Sequence, residues 1–357
     1  MHEAVRILLA ADRSVSVDTW HSFWDSLQGK SSAQSRSDAV ALLGSLSSHV
    51  PDHRSVGALV ESLDARRVHP PEQDAVNIVG SGGGPATFNL STAAAVVAAT
   101  LGVGVVKSGS RGYTSRYGSI DVLKLLGVRL ARSDEEVADA LERFGIAFPG
   151  AFVYPPELTL LAKRIVPLDW RTLGSFVNRL GPFLAAVPAT SQVTGVSDHS
   201  LLPMYEYLAA NHLRRRLWLC FNGCGVDELV SFEENLIRCG DGTELRLAPR
   251  ALGASPGSLA DLQGAPDSAG VVRQFTALLG GEGPPAATQS ICLNAACMVV
   301  MSGVEPDWAE AFREARRAID GGTALAMLER MRSDGATRVP GIRRRTTAAV
   351  PAIGSHD

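Results

Sequence analysis

Apolar residues recur at helical spacing through the first 72 positions, in VRILLA, WHSFWDSL, AVALLGSL and VGALVESL. Pro51 and Pro70-Pro71 punctuate the run, so it reads as a set of short helices. At Asp74 the pattern changes. DAVNIVG is a continuous apolar run of strand length that enters a glycine loop. AAAVVAATLG then reads as an apolar helix, VGVVKSG as a second strand and SIDVLKLLGV as a helix. A helical stretch from about Pro155 to Leu184 precedes AVPATSQVTGV, a further strand. His199 to His212 reads as helix, RRLWLCFNG as strand, and SICLNAACMVVMSG and WAEAFREARRAIDGGTALAMLERM as helices.

Strands alternating with helices define an α/β protein whose central, mainly parallel sheet is covered by helices. The pattern divides the chain into a small all-helical domain, residues 1–72 with about 155–185, and a large α/β domain, residues 73–154 with 186–333. Residues 334–357, rich in Arg, Thr and Pro, read as a flexible tail. A net charge of -3 over 357 residues gives no global field favouring nucleic acid or an anionic membrane. Arg214-Arg215-Arg216 and Arg343-Arg344-Arg345 read as a solvated helix end and a solvated tail. Five irregularly spaced cysteines point to reduced thiols in a cytoplasmic protein, not a disulfide framework. The opening residues make no signal peptide, and the apolar run from about Ala93 to Val106 is too short to span a bilayer.

Candidate chemistry gathers in three places. Gly80-Ser81-Gly82-Gly83-Gly84 joins a strand to a helix, where bare backbone N–H groups and a helix N-terminus suit an anion such as pyrophosphate; a tight structural turn fits the same residues. Within Thr87-Phe88-Asn89-Leu90-Ser91-Thr92, Ser91 or Thr92 suits a helix cap, and Asn89 and Ser91 suit a sugar or a metal-bound diphosphate. Lys107-Ser108-Gly109-Ser110-Arg111 places cations and hydroxyls at a strand's carboxyl end, and the loop from Thr114 through Ser115 to Ser119 can wrap the same anion. Asp227-Glu228, following a strand, offers hard oxygen ligands to one hydrated Mg2+.

Taken in order, these segments resemble the anthranilate phosphoribosyltransferases from about residue 74 to 330. The family's glycine loop and NxST motif match Gly80 to Gly84 and Asn89-Leu90-Ser91-Thr92, and its KHGNR segment matches Lys107 to Arg111. GSxDVLxxLGV is present from Gly118 to Val128. FNxLGP appears as Val177-Asn178-Arg179-Leu180-Gly181-Pro182, the glycine-x-Asp-Glu motif as Gly225-Val226-Asp227-Glu228, and LNAA as Leu293 to Ala296.

The resemblance implies transfer of a phosphoribosyl group from phosphoribosyl pyrophosphate (PRPP) to an aromatic amine nitrogen, with Mg2+. It implies that the glycine loop, Thr87, Asn89, Ser91, Thr92, Lys107, Ser108, Gly109, Ser110 and Ser115 bind PRPP, and that Ser91, Asp227 and Glu228 hold the metal. Lys107, Asp227 and Glu228 then carry catalysis, Ser110, Tyr154, Arg164, Arg171 and Asn178 face the acceptor, and the helical domain forms a homodimer. Departures fall mostly on the acceptor side. Gly84 stands where the family has aspartate, in a loop one residue shorter; Ser108 and Ser110 replace histidine and asparagine; Pro155-Pro156 replaces His-Pro. The carboxylate-binding arginine aligns with Leu168 or Asp169, with Arg164 and Arg171 out of register. These changes suggest an altered aromatic acceptor in specialised metabolism. A non-catalytic nucleic-acid-binding relative and a nucleoside phosphorylase are the alternatives for this fold.

Overall fold

The computed structural model describes residues 1–109, 112 and 116–337. Seven strands form one sheet: β1 (Gln73–Gly80), β2 (Val105–Val106), β3 (Ile146–Ala147), β4 (Ala189–Gly195), β5 (Arg216–Asn222), β6 (Asn235–Cys239) and β7 (Glu244–Leu247), in the order β3-β2-β1-β4-β5-β6-β7. Strands β1 to β5 are parallel; β6 and β7 add an antiparallel edge that the sequence reading did not anticipate. The chain builds from β1 toward β3 on one side and then returns to lay β4 on the other. The strand order therefore reverses between β1 and β4, where the carboxyl ends of open α/β sheets bind ligands.

One sheet face is covered by Leu90–Thr100 and Pro285–Ser302, two apolar helices packed on each other. Pro285–Ser302 is long and apolar enough to cross a membrane, and it lies buried in this core. Its small residues, Ala287, Ala295 and Ala296, allow close packing. The long C-terminal helical pattern is split at Gly321-Gly322 into Trp308–Asp320 and Thr323–Thr337. Asp334, expected in the tail, lies in the second of these and accepts a 2.5 Å bond from Arg143; residues 338–357 lie outside the described residues.

The N-terminal helices Glu3–Ala10, Val17–Ser26, Ala33–Ser48 and His53–Asp64 pack with Pro156–Ile165 and Ser175–Arg179 around Trp20, Phe23 and Trp24. Their spacing in WHSFW brings the Trp20 and Trp24 rings to 5.7 Å. The indole N–H groups find the Ser55 carbonyl and Ser62 hydroxyl, so both rings are buried without orphaned donors. This core runs on into one face of the sheet through Tyr205, Leu217 and Leu219.

The chain crosses between these helices and the sheet along 65–72, 148–155 and 185–188. Arg67 lies on the first crossing. It donates to the Val153 carbonyl at 3.2 Å and the Leu184 carbonyl at 2.5 Å, and so ties all three together. Of Arg214-Arg215-Arg216, Arg214 and Arg216 are exposed as expected, and Arg215 departs. Arg215, just before buried β5, turns inward to the Ala185 carbonyl at 2.8 Å, while Arg216 stays exposed and donates to the Met301 carbonyl. Arg343-Arg344-Arg345 lies outside the described residues.

Candidate active site

The carboxyl ends of β1 and β2 and the turn that follows β5 open into a cleft of about 710 Å³. Its sheet-side wall holds Gly80 to Gly84, Thr87, Asn89, Ser91, Lys107, Gly109, Asp227 and Glu228; the opposite wall is helical and includes Tyr154, Trp170, Val177 and Asn178. Residues 145 positions apart meet directly: the Gly82 N–H donates to Asp227 Oδ2 at 2.7 Å. Register makes this possible, because Gly80 and Gly195 are paired at the ends of β1 and β4. Both lack a Cβ, and the 227–228 turn passes directly over them. A Cβ on Gly195 would overlap the Asp227 carbonyl, and one on Gly80 would overlap the Asp227 carboxylate.

The same packing accounts for Gly84. A Cβ there would overlap the Gly225 carbonyl and come within 2.9 Å of Ser197 Cβ, so this backbone has no room for an aspartate. The loop is further held by Ser197, whose hydroxyl donates to the Gly82 carbonyl at 2.6 Å. Arg179 pairs with Asp198 at 2.9 Å beside Gly83. Sequence reasoning missed Ser197 and Gly195. Their position at the end of a predicted parallel strand was the available signal.

Glu228 accepts from the Thr87 hydroxyl at 3.2 Å and the Ser91 N–H at 3.4 Å. The helix that follows begins at Leu90, with Asn89 as its cap position and no side-chain cap. Ser91 and Thr92 therefore sit inside the first turn, and the Glu228 carboxylate serves the open N-terminus instead. Burial pushes Glu228 up, with the neighbouring Asp227 charge adding to it. Burial also raises Asp227, against the Gly82 N–H and Lys107. Burial lowers the Lys107 ammonium to about 8 despite both carboxylates. Lys107 Nζ holds the Ser108 carbonyl at 2.9 Å.

Several expected site residues lie elsewhere. Ser108 is fully buried, and its N–H and hydroxyl both bind Asn77 Oδ1 at 3.0 Å. Asn77 continues to Gln192 at 2.9 Å, so Ser108 belongs to a polar network beneath the cleft, not in it. Lys107 and Ser108 leave the end of β2 on opposite sides, as strand geometry requires. Thr92 is buried, its hydroxyl without a partner among the described residues, one helical step round from Ser91, and is not on the cleft wall. Arg164 points away, donating to the Leu27 and Gly29 carbonyls at 2.6 Å. Arg171 is exposed and reaches the Gly112 carbonyl at 3.2 Å. Ser110 and Ser115 lie outside the described residues.

Tyr154 and Asn178 do line the cleft. The Tyr154 hydroxyl donates to the Gly109 carbonyl at 3.3 Å, and burial pushes it up to about 12.

The donor set fits Mg2+. Ser91, Asp227 and Glu228 offer only oxygen, and two adjacent half-buried carboxylates resist carrying their charges without a cation. Among the described residues no group of three or more His, Cys, Asp or Glu forms a closed cage. An ion held here would keep positions for water and substrate oxygens, as magnesium prefers.

Residues 72–325 match the family model described as glycosyl transferase family, a/b domain. The anthranilate phosphoribosyltransferase 2 of Streptomyces coelicolor is 37% identical over 72% of this chain and 76% of its own length. That of Methylobacterium nodulans is 33% identical over 78% and 81%. The crystal structure of the Thermus thermophilus enzyme superposes with a TM-score of 0.77 at 29% identity, over 94% of this chain and 100% of that one. The chain belongs to the anthranilate phosphoribosyltransferase family. A structure of the Saccharomyces cerevisiae enzyme in complex with PRPP and Mg shares the fold, with a TM-score of 0.79 at 22% identity.

Proposed function

We propose that this protein transfers a phosphoribosyl group from PRPP to the nitrogen of anthranilate or a related aromatic amine in the cytoplasm, releasing pyrophosphate. The observation that carries the reading is the direct contact between the Gly82 amide and Asp227. The contact joins the glycine loop to the Asp227-Glu228 pair at one point, which supports a shared diphosphate site. In the transfer, the C1–O bond to pyrophosphate breaks as the amine nitrogen forms a bond to C1. The amine proton then leaves to solvent, and no protein base is required of so weakly basic a nucleophile.

Lys107 and the glycine loop, apart from the Ser81 and Gly82 N–H groups already given to Gly195 and Asp227, hold the departing pyrophosphate, whose charge grows as the bond breaks. Ser91, Asp227 and Glu228 hold Mg2+, which when bound neutralises diphosphate charge. The apolar helical wall brings the acceptor up and excludes water.

The test is pyrophosphate release from PRPP with a panel of aromatic amines headed by anthranilate. Release must depend on both PRPP and an amine, and the reading fails if no amine in the panel supports it. Treatment with EDTA is expected to abolish release, and added Mg2+ to restore it. Lys107→Met is expected to raise the KM for PRPP about 10- to 100-fold, the usual loss for a charge-assisted contact. Its thermal melt should be unchanged or higher, because a desolvated ammonium is replaced by an apolar side chain of similar reach.

A further inference from the structure

The helical wall of the cleft contains one arrangement that the shared motifs do not explain. Trp170 lines the cleft, on the short helix Trp170–Leu173. Asp169 caps that helix, accepting from the N–H groups of Arg171 at 3.1 Å and Thr172 at 3.2 Å. The indole N–H donates to Asn178 Oδ1 at 3.2 Å. Four residues on, Gly174 leaves space for the ring: a Cβ there would lie 2.5 Å from Cε2 and 2.7 Å from Cδ2 of the indole. An indole held at one edge by a hydrogen bond and packed against bare backbone keeps one orientation. The nearby wall is apolar, from Leu158, Ala162, Val177 and Leu184.

We infer that Trp170, seated by Gly174 and Asn178, is the specificity-determining residue of the acceptor subsite and selects a planar aromatic amine. The inference rests on the transferase reading for the identity of the acceptor, and on geometry alone for the slot. A fixed indole stacks on a flat ring at small entropic loss, while a puckered ring of equal size meets it at few points. Because Asn178 spends its carbonyl oxygen on the indole, its amide nitrogen is buried without a protein partner among the described residues. Asn178 thus acts through Trp170 and is a positioning residue.

The experiment compares the parent with Trp170→Ala, Trp170→Phe and Gly174→Ala, each checked for a cooperative thermal melt. Trp170→Ala is expected to raise the acceptor KM about tenfold while the KM for PRPP moves less than about threefold. Trp170→Phe, which keeps a ring, should raise the acceptor KM less than Trp170→Ala does. Gly174→Ala should resemble Trp170→Ala, since a methyl group displaces the indole without removing it.

A second reading needs no turnover. Aromatic amines should quench tryptophan fluorescence in the parent and not in Trp170→Phe. 2-Aminocyclohexanecarboxylate, the saturated counterpart of anthranilate, should fail to compete. If the parent releases no pyrophosphate but Trp170-dependent quenching is present, the slot stands and the transferase reading falls. If the parent turns over and Trp170→Ala leaves the acceptor KM unchanged, the inference is overturned. Absence of quenching by every amine tested overturns it as well.

Discussion

Asp227→Asn is expected to lower kcat/KM for PRPP about a thousandfold, the scale seen when one organised electrostatic contact to a leaving group is removed. The argument is local. Asp227 lies under the glycine loop, accepts the Gly82 N–H and is raised by burial. An asparagine keeps the shape and still accepts that N–H, so the loop should hold its place. What disappears is one of the two negative charges assigned above to the proposed divalent cation. The folded state should not suffer, because an ionised carboxylate is costly to bury without a counter-ion. Metal-free Asp227→Asn is therefore expected to melt at or above the parent temperature. A large activity loss with a preserved melt would mark a site strained for function. A loss of both together would make Asp227 a structural residue and remove the support for the metal assignment.

Gly195→Ala carries the second large effect, on stability. Its new methyl group would occupy the space of the Asp227 carbonyl oxygen and crowd the carbonyl carbon. Both neighbours are backbone, fixed by β4 pairing on one side and by the Asn222 side chain on the other, which donates to the Val226 and Glu228 carbonyls at 3.1 and 2.8 Å. No rotamer change relieves such a clash. The expected cost is about 3 kcal/mol or more, read as a lower denaturant midpoint, because overpacking against backbone cannot relax. Gly44→Ala is the matched control. Gly44 lies inside the helix Ala33–Ser48 with open space around it, so alanine should stabilise by about 0.5–1 kcal/mol. Equal midpoints for the two variants would show that the close approach at Gly195 is not needed.

Much of the site was legible because its chemistry is carried by backbone and by charge. A glycine loop after an apolar strand, a lysine after the next strand and an acidic pair after a later one can each be read from residue type and order. Their convergence needed the fold, since the contact from Gly82 to Asp227 depends on β4 lying beside β1. Residue type was a poorer guide to which way a side chain faces. Ser108 and Thr92 are polar residues inside the right motifs, yet both point into the core, where Ser108 ties Asn77 to the end of β2. Period-two alternation after Lys107 would have assigned Ser108 to the inner side.

The acceptor wall was least legible. Arg164 lies near the place of the family's carboxylate-binding arginine, but its guanidinium is spent on main-chain carbonyls at the end of a neighbouring helix. Trp170 carries no motif and gains its meaning only from Gly174. The antiparallel β6 and β7 are short and rich in charge, so their pattern resembles loop. The relatives fixed the family and the fold. They leave the role of each side chain to the variants above.

Arg67 does not itself line the cleft, yet its guanidinium grips the carbonyl of Leu184, a residue of the helical wall, and that of Val153, next to Tyr154. It works as the rivet of a pair of pliers, with the glycine loop in one jaw and Trp170 in the other. For the proposed transfer, the gap between the two reacting groups is then set at the pivot as much as at the tips, by a side chain no inventory of contacts with substrate would include.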